Sequence, residues 1–167
     1  SSVKAWCGPG SKVQAPSQVV TYVSAHDNWT LWDKLSLTVE DEAERMRANR
    51  MAAAVYMTCQ GRIFFLSGEE ASRTKGGLEN SYNAPIEINR LDWNRMYEQY
   101  ELVEYYSGLI ALRKRLPGLC DKSKDAWKRI RDEWKTDGVV GFLVDNHSVS
   151  QPSLWETLCV IYNSRHE

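Results

Sequence analysis

Gln18 to Leu35 reads Q-V-V-T-Y-V-S-A-H-D-N-W-T-L-W-D-K-L. Its first seven residues, Gln18 to Ser24, are rich in β-branched and aromatic side chains and hold no Gly or Pro, which predicts a strand. Near-continuous apolar character suits a strand covered on both faces, as in a parallel sheet. It runs directly into Ala25-His26-Asp27-Asn28, so a histidine and a carboxylate stand at its C-terminal end. Farther on, Thr38 and Asp41 have the spacing of a capping box, which predicts a helix over about 40–58. Ala43, Met46, Arg50, Ala53, Ala54 and Met57 form its stripe, and Gly61 is its stop. Arg62 to Ser67, R-I-F-F-L-S, reads as a second short buried strand. Strand, helix, strand is a βαβ pattern, which sets the two strands side by side and parallel. Two parallel strands cannot cover both of their own faces, so this unit asks for more sheet than it supplies.

Outward from that unit, residues 1–17 carry Gly8, Pro9, Gly10 and Pro16 and read as loop. Residues 68–94 are polar, with Gly76-Gly77 and Pro85, and are too long for a plain connector; loops of that length are functional or disordered. A second long helix is expected over about 95–115, with Met96, Tyr100, Val103 and Ile110 at helical spacing and Pro117-Gly118 ending it. A shorter helical piece is expected over 124–133. Gly138 to Val144 and Thr157 to Tyr162 read as two strands, joined through the turn-rich residues 145–152 into a hairpin.

Length and composition set the limits of function. The 167 residues suffice for one domain, or one and a fragment, and 43% hydrophobic with 11% aromatic residues can pack a core. Lys and Arg number 21 against 22 Asp and Glu, a balance that argues against nucleic-acid binding and against a charge-driven disordered tail. No apolar run approaches the roughly 18 residues of a membrane span. Ser1 to Gln18 has no apolar core of signal-peptide length. The chain starts without Met, and the expectation is of a piece of something longer. Cys7, Cys59, Cys120 and Cys159 form no C-x-x-C pair and no zinc spacing. Four is an even number, so disulfides are possible, but a chain this rich in core residues needs no staples; the thiols are expected to be reduced and mostly buried in a reducing compartment, and the expected location is cytoplasmic and bacterial. His147 and His166 sit among polar residues and read as surface side chains. Asn28-Trp29-Thr30 and Asn146-His147-Ser148 fit a glycosylation sequon, a tripeptide common by chance.

In parallel α/β sheets, chemistry gathers at the C-terminal ends of strands. One such end carries Ser24-Ala25-His26-Asp27-Asn28 and the other Ser67-Gly68-Glu69-Glu70. Parallel neighbours lie about 4.8 Å apart, so both mouths would open on one cleft. It would hold His26, Asp27, Glu69 and Glu70, with Trp29 and Trp32 close by. Acids with aromatics and no phosphate loop suit a neutral, hydroxyl-rich substrate such as a sugar. Carboxylates accept from hydroxyls, indoles stack on pyranose faces, and a carboxylate can stabilise an oxocarbenium-like transition state. Simpler readings stand beside this one. His-Asp-Asn after a strand is also a common Asx turn, and Glu69-Glu70 also suits an acid pair at a helix N-terminus. No G-x-S-x-G elbow exists, which argues against a serine hydrolase.

These residues resemble a known family. Gln18 to Leu35 is similar to the fourth conserved region of glycoside hydrolase family 13, and the H-D-N-x-T-L-W-D-K form resembles that of type I pullulanases. A second block agrees: Gly68-Glu69-Glu70, Arg73-Thr74-Lys75, Glu79-Asn80-Ser81-Tyr82-Asn83-Ala84-Pro85 and Leu91-Asp92-Trp93 resemble the stretch after barrel strand eight. Residues 18–117 carry the resemblance strongly, and the last strands more weakly. It implies an α/β fold, the C-terminal quarter of a (β/α)8 barrel followed by the first strands of an antiparallel β-sandwich domain. The implied division is 1–17 as a loop or preceding barrel connection, 18–136 as the last two β/α units and 137–167 as the start of the sandwich. The first six barrel strands would be the missing sheet, since a barrel needs roughly 200 residues or more.

By the same resemblance, Asp27 matches the family's transition-state-stabilising carboxylate and His26 its sugar-binding histidine. Asn28 matches a position near the branch-point sugar, Trp29 stands beside it, and Tyr82 and Asn83 fall on a substrate-side wall. The family's nucleophile and acid/base come from barrel strands four and five and have no counterpart here. Ile86 stands where the family often has an acid. The implied activity is retaining hydrolysis of α-1,6-glucosidic linkages in pullulan, branched maltodextrins or glycogen, with this chain inactive alone. The implied partners are an α-glucan and the remainder of the enzyme as a second chain. No cofactor or metal is implied for this stretch; some relatives bind calcium outside it. Two other readings are a non-catalytic α-glucan-binding scaffold and a helical interaction module in which His26-Asp27 is only a turn.

Overall fold

The computed structural model describes residues 1–148, 153 and 155–165; the second half of the turn expected over 145–152, and His166, lie outside them. The chain forms two compact units, one of Ser1–Thr21, Val55–Ile63 and Ile110–Glu167, the other of Tyr22–Ala54 and Phe64–Leu109.

The first unit contains the expected parallel pair. Strand β1 (Val20–Thr21) lies beside β2 (Arg62–Ile63), with Val20 opposite Arg62 and Thr21 opposite Ile63. The strands are shorter than the apolar runs that predict them, and cover on both faces is not found: Val20 is 52% exposed. Gly61 leads into β2 at φ +103°, where a Cβ would come within 3.2 Å of the Val19 carbonyl oxygen. The left-handed backbone calls for glycine there, and the tight approach adds to the preference.

The rest of this unit is an antiparallel sheet in the order β3 (Ile130–Thr136), β4 (Val139–Asp145), β5 (Thr157–Asn163). The expected hairpin is β4–β5, with Val139 opposite Asn163 and Asp145 opposite Thr157. β3 corrects the helix expected over 124–133. Only a 3-10 turn, Ala126–Arg129, is helical there. β3 then pairs with β4 through a register shift between Arg131 and Trp134, where Asp132 takes φ +50°. Pro117 starts a short helix, Pro117–Cys120, rather than only ending one, as suits a residue that has no N–H to offer. The core gathers Val3, Cys59, Leu116, Leu119, Ile130, Phe142 and Val144. Phe142 is 1% exposed, a burial that stabilises by about 1.5–3 kcal/mol.

All four cysteines are free thiols, but only Cys7 and Cys59 are buried; Cys120 and Cys159 are exposed. Burial pushes the Cys59 thiol up to about 11, against a smaller opposing pull from Arg113. Its sulfur contacts the Val55 carbonyl oxygen at 3.1 Å. A raised folded value means that the native state keeps its proton while the unfolded chain, titrating near 8.5, gives it up. Stability from this group is therefore complete below about pH 8.5 and falls as pH rises toward 11. At pH 8 a thiol reagent should label Cys120 and Cys159 within minutes and spare Cys59 until urea is added. Mass mapping of the labelled peptides reads the result, and early modification of Cys59 would contradict it.

The second unit is mainly helical. Helix α1 (Leu31–Ser36) is absent from the strand–helix–strand expectation, yet its signal is in the sequence: the Thr30 hydroxyl accepts from the Asp33 N–H at 3.1 Å as an N-cap. Helix α2 (Glu42–Met57), which continues into the first unit, matches the expectation except at its cap. Asp41, not Thr38, accepts from the Glu44 N–H at 2.8 Å. The second long helix is broken at Gln99 into α4 (Trp93–Glu98) and α5 (Tyr100–Lys114), after a short α3 (Ile86–Asn89). Trp32 is buried with the Arg45 and Arg95 guanidinium groups 5.1 and 5.5 Å from its ring centroid, a cation–π arrangement. No helix among the described residues is long and apolar enough to cross a membrane.

Candidate functional site

The His26–Asp27–Asn28 loop belongs to the second unit. Asn28 adopts φ +63°, a left-handed conformation that asparagine tolerates better than most side chains. That turn exposes the loop: the His26 and Asp27 side chains are 84% and 73% accessible, with Nε2 and Oδ2 3.4 Å apart. An ion pair so exposed contributes little to stability.

What holds the loop lies beneath it. The Asp33 carboxylate, in the first turn of α1, accepts from the Thr74 hydroxyl at 2.5 Å and from the Lys75 N–H at 2.8 Å. Lys75, 3% exposed, sends its ammonium to the carbonyl oxygens of His26 at 2.6 Å and Asn28 at 3.3 Å. Burial pulls the Lys75 ammonium below the usual lysine range and Arg73 adds to this, while Asp27 and Asp33 act in the opposite sense. The Trp29 indole N–H donates to the Gly77 carbonyl at 2.9 Å. Residues 26–33 and 73–77 are therefore laced together, which gives an ordered structure to the start of the long polar loop.

The expected cleft of His26, Asp27, Glu69 and Glu70 does not form. Glu69 is 3% exposed and accepts from the Ser24 hydroxyl and, at 3.0 Å, from the Tyr106 hydroxyl. The Glu70 carboxylate accepts from the Gly68 N–H at 2.9 Å, in the first turn of the 3-10 segment Glu69–Ala71. The helix-terminal reading therefore fits the Glu70 carboxylate, whereas that of Glu69 turns inward to two hydroxyls. Trp32 is likewise withdrawn between its two arginines. Carboxylates with buried hydroxyl and amide donors are satisfied inside the protein, so they are not left facing a cleft.

Tyr82 and Asn83 follow on the same loop and are exposed, Tyr82 at 81%. The loop is pinned just before them. Buried Ser81 donates its hydroxyl to Asn89 Oδ1 at 2.9 Å, and the Asn89 amide returns to the Ser81 carbonyl at 2.7 Å. A cavity of about 260 Å³ opens beside Arg73, Thr74, Lys75, Gly76, Arg90 and Asp92; none of the six expected site residues lines it. Among the described residues no group of three His, Cys, Asp or Glu side chains is placed to hold a metal ion. Sequence reading missed Asp33 and Lys75. The available signal was a carboxylate three residues after a capping threonine and a lysine in the run Arg73-Thr74-Lys75-Gly76-Gly77.

No protein-family model matches the chain. A pullulanase of Bacillus subtilis is 43% identical over 114 residues, 67% of this chain and 16% of that enzyme. Among solved structures, a Paenibacillus barengoltzii pullulanase in complex with maltohexaose and α-cyclodextrin superposes with a TM-score of 0.89. It is 37% identical over 98% of this chain and 26% of its own. The type I pullulanase of Bacillus subtilis complexed with maltose gives a TM-score of 0.87 at 32% identity, over 98% of this chain and 24% of its own. The chain thus spans about a sixth of the curated relative and about a quarter of the solved chains. Over that stretch, in both sequence and fold, the chain belongs with the type I pullulanases.

Proposed function

We propose that this chain is the C-terminal part of a retaining pullulanase that hydrolyses α-1,6-glucosidic linkages in pullulan, branched maltodextrins or glycogen. The observation that carries the reading is the match to pullulanases over 98% of the chain at 37% identity, with His26-Asp27-Asn28 presented on an ordered, outward-facing loop. On this reading β1 and β2 are barrel strands seven and eight, residues 18–136 are the last two β/α units, and 137–167 begin the β-sandwich domain. The exposed side chains of Val20 and Tyr22 suit cover by the first six strands, supplied by the remainder of the enzyme, as a second chain if the enzyme is nicked.

The chemistry follows from what the loop offers. A retaining mechanism needs a nucleophile and an acid/base about 5–5.5 Å apart, and both are assigned to the remainder. Asp27 is assigned the third role: it accepts hydrogen bonds from sugar hydroxyls and sets a negative field beside the positive charge that develops at the anomeric carbon. His26 donates to a hydroxyl of the same sugar. Asn28, Trp29, Tyr82 and Asn83 are assigned to the glucan on either side, amides to hydroxyls and rings to pyranose faces.

The test is hydrolysis of pullulan by the full-length protein that carries this chain. Pullulan joins maltotriose units through α-1,6 bonds, so maltotriose should accumulate as the main product, while this chain alone releases none. An intact-mass spectrum under denaturing conditions shows whether one or two polypeptides are present. Glucan binding without any release of maltotriose would replace the reading by that of a non-catalytic α-glucan scaffold.

A further inference from the structure

We infer that Lys75 is a positioning residue for Asp27, a reading that rests on the proposed role of Asp27. Its ammonium donates to the carbonyl oxygens of His26 and Asn28, the residues on either side of Asp27, at 2.6 and 3.3 Å. One buried cation thus grips the backbone before and after the carboxylate that is offered to solvent. The grip acts beside the left-handed turn at Asn28, φ +63°, a conformation that asparagine can adopt and that two anchored carbonyls hold in place. Lys75 is itself fixed from behind. The Asp33 carboxylate takes its N–H at 2.8 Å and the neighbouring Thr74 hydroxyl at 2.5 Å, and Asp33 is 3% exposed. The order of support runs from the first turn of α1, through Asp33 and residues 74–75, to the two carbonyls that frame Asp27.

The arrangement separates two tasks. Asp27, at 73% accessibility, is free to meet a sugar, and its direction is set by groups that never touch the sugar. A lysine suits this task because its three donors sit on one nitrogen and can serve two carbonyls that face the same point. Loss of the grip lets the loop relax about Asn28 and moves the carboxylate off the position where charge develops. A displacement of about 1 Å at such a group costs about 10- to 100-fold in turnover.

The experiment is a double-mutant cycle in the full-length enzyme with pullulan as substrate. Lys75→Met should lower kcat about 10- to 100-fold and leave KM within about threefold, the signature of support felt in the transition state. Lys75→Arg, which keeps the charge and several donors, should recover part of that loss. The double variant Lys75→Met/Asp27→Asn should be no slower than Asp27→Asn alone, because a positioning residue has nothing left to position. Losses that multiply in the double variant would overturn the proposal, as would an unchanged kcat in Lys75→Met. So would a fall in kcat that follows the loss of folded protein by circular dichroism and is not recovered by arginine. If wild type does not hydrolyse pullulan, or if Asp27→Asn alone is fully active, the parent reading fails instead.

Discussion

Asp27→Asn in the full-length enzyme is expected to lower kcat on pullulan by at least about a hundredfold, the size found when a group that stabilises transition-state charge is removed. The melting temperature should move by less than about 2 °C, since surface changes away from special features lie within about 0.5 kcal/mol. The separation follows from the environment of the carboxylate. Asp27 is 73% accessible and its ion-pair partner, His26, is 84% accessible at 3.4 Å. Folding gains little from such a pair, and asparagine keeps the shape while losing the charge. Catalysis is different, because a charge beside an oxocarbenium-like centre acts at full strength only when water is excluded. The loop in this chain is open, so the effect should appear only with the rest of the enzyme closing over it. Stopped assays across substrate concentrations, paired with thermal melts, test both halves. Turnover within a few-fold of wild type would remove Asp27 from the mechanism.

The same contrast between an exposed tip and a buried support explains what was legible in the sequence. The loop position of His26-Asp27-Asn28 was readable because an apolar strand-forming run ends just before them. The parallel pairing of β1 and β2 was readable for a similar reason, since strand–helix–strand has one common handed solution. Strand length was not. Beyond Thr21 the chain turns to other partners: the Val23 carbonyl accepts from the Lys34 ammonium at 2.7 Å, and the Ser24 side-chain hydroxyl donates to Glu69. Composition carries no trace of those choices.

Lys75 and Asp33 were missed because their roles depend on contacts 42 to 49 residues apart in sequence. In isolation, Arg73-Thr74-Lys75 looks like a solvated charge run. Glu69 misled in the opposite way: an acid at a strand end suggests a cleft, whereas two hydroxyls inside the protein satisfy it. β3 was missed because its outer residues, Arg131 to Thr136, are all exposed and show no alternation. Its anchors are more remote still, up to 132 residues away in sequence. Glu133 pairs with Lys4 and accepts from the Ser1 hydroxyl, and these donors hold its carboxyl below the usual range despite partial burial that acts the other way.

Arg113→Met is expected to cost about 3–5 kcal/mol, since it removes a partly buried cation whose charge-assisted hydrogen bonds contribute about 1.5–3 kcal/mol each before water and relaxation recover part of the loss. Arg113 makes four hydrogen bonds to backbone carbonyls: Nη1 to Met57 at 2.8 Å and Cys59 at 2.6 Å, Nη2 to Gly61 at 2.9 Å and Leu119 at 3.2 Å. Met57 is the last residue of α2 and Gly61 the residue before β2. One guanidinium therefore satisfies the carbonyls that a helix end leaves without partners and fixes the turn that sets β2 against β1. Burial pulls its pKa below the usual arginine range, against Cys120 and Cys59, which act the other way. Methionine can fill the stem's volume but offers no donor, so buried carbonyls lose their partners at about 1–3 kcal/mol each. Water and relaxation recover part of that sum. Arg113→Lys separates charge from geometry, since a single nitrogen cannot reach carbonyls spread along a planar fork. It should retain less than half of the stability that Arg113→Met loses. Urea titrations of the three proteins decide the matter, and a Lys variant as stable as wild type would mean that the charge, not the fork, holds this turn.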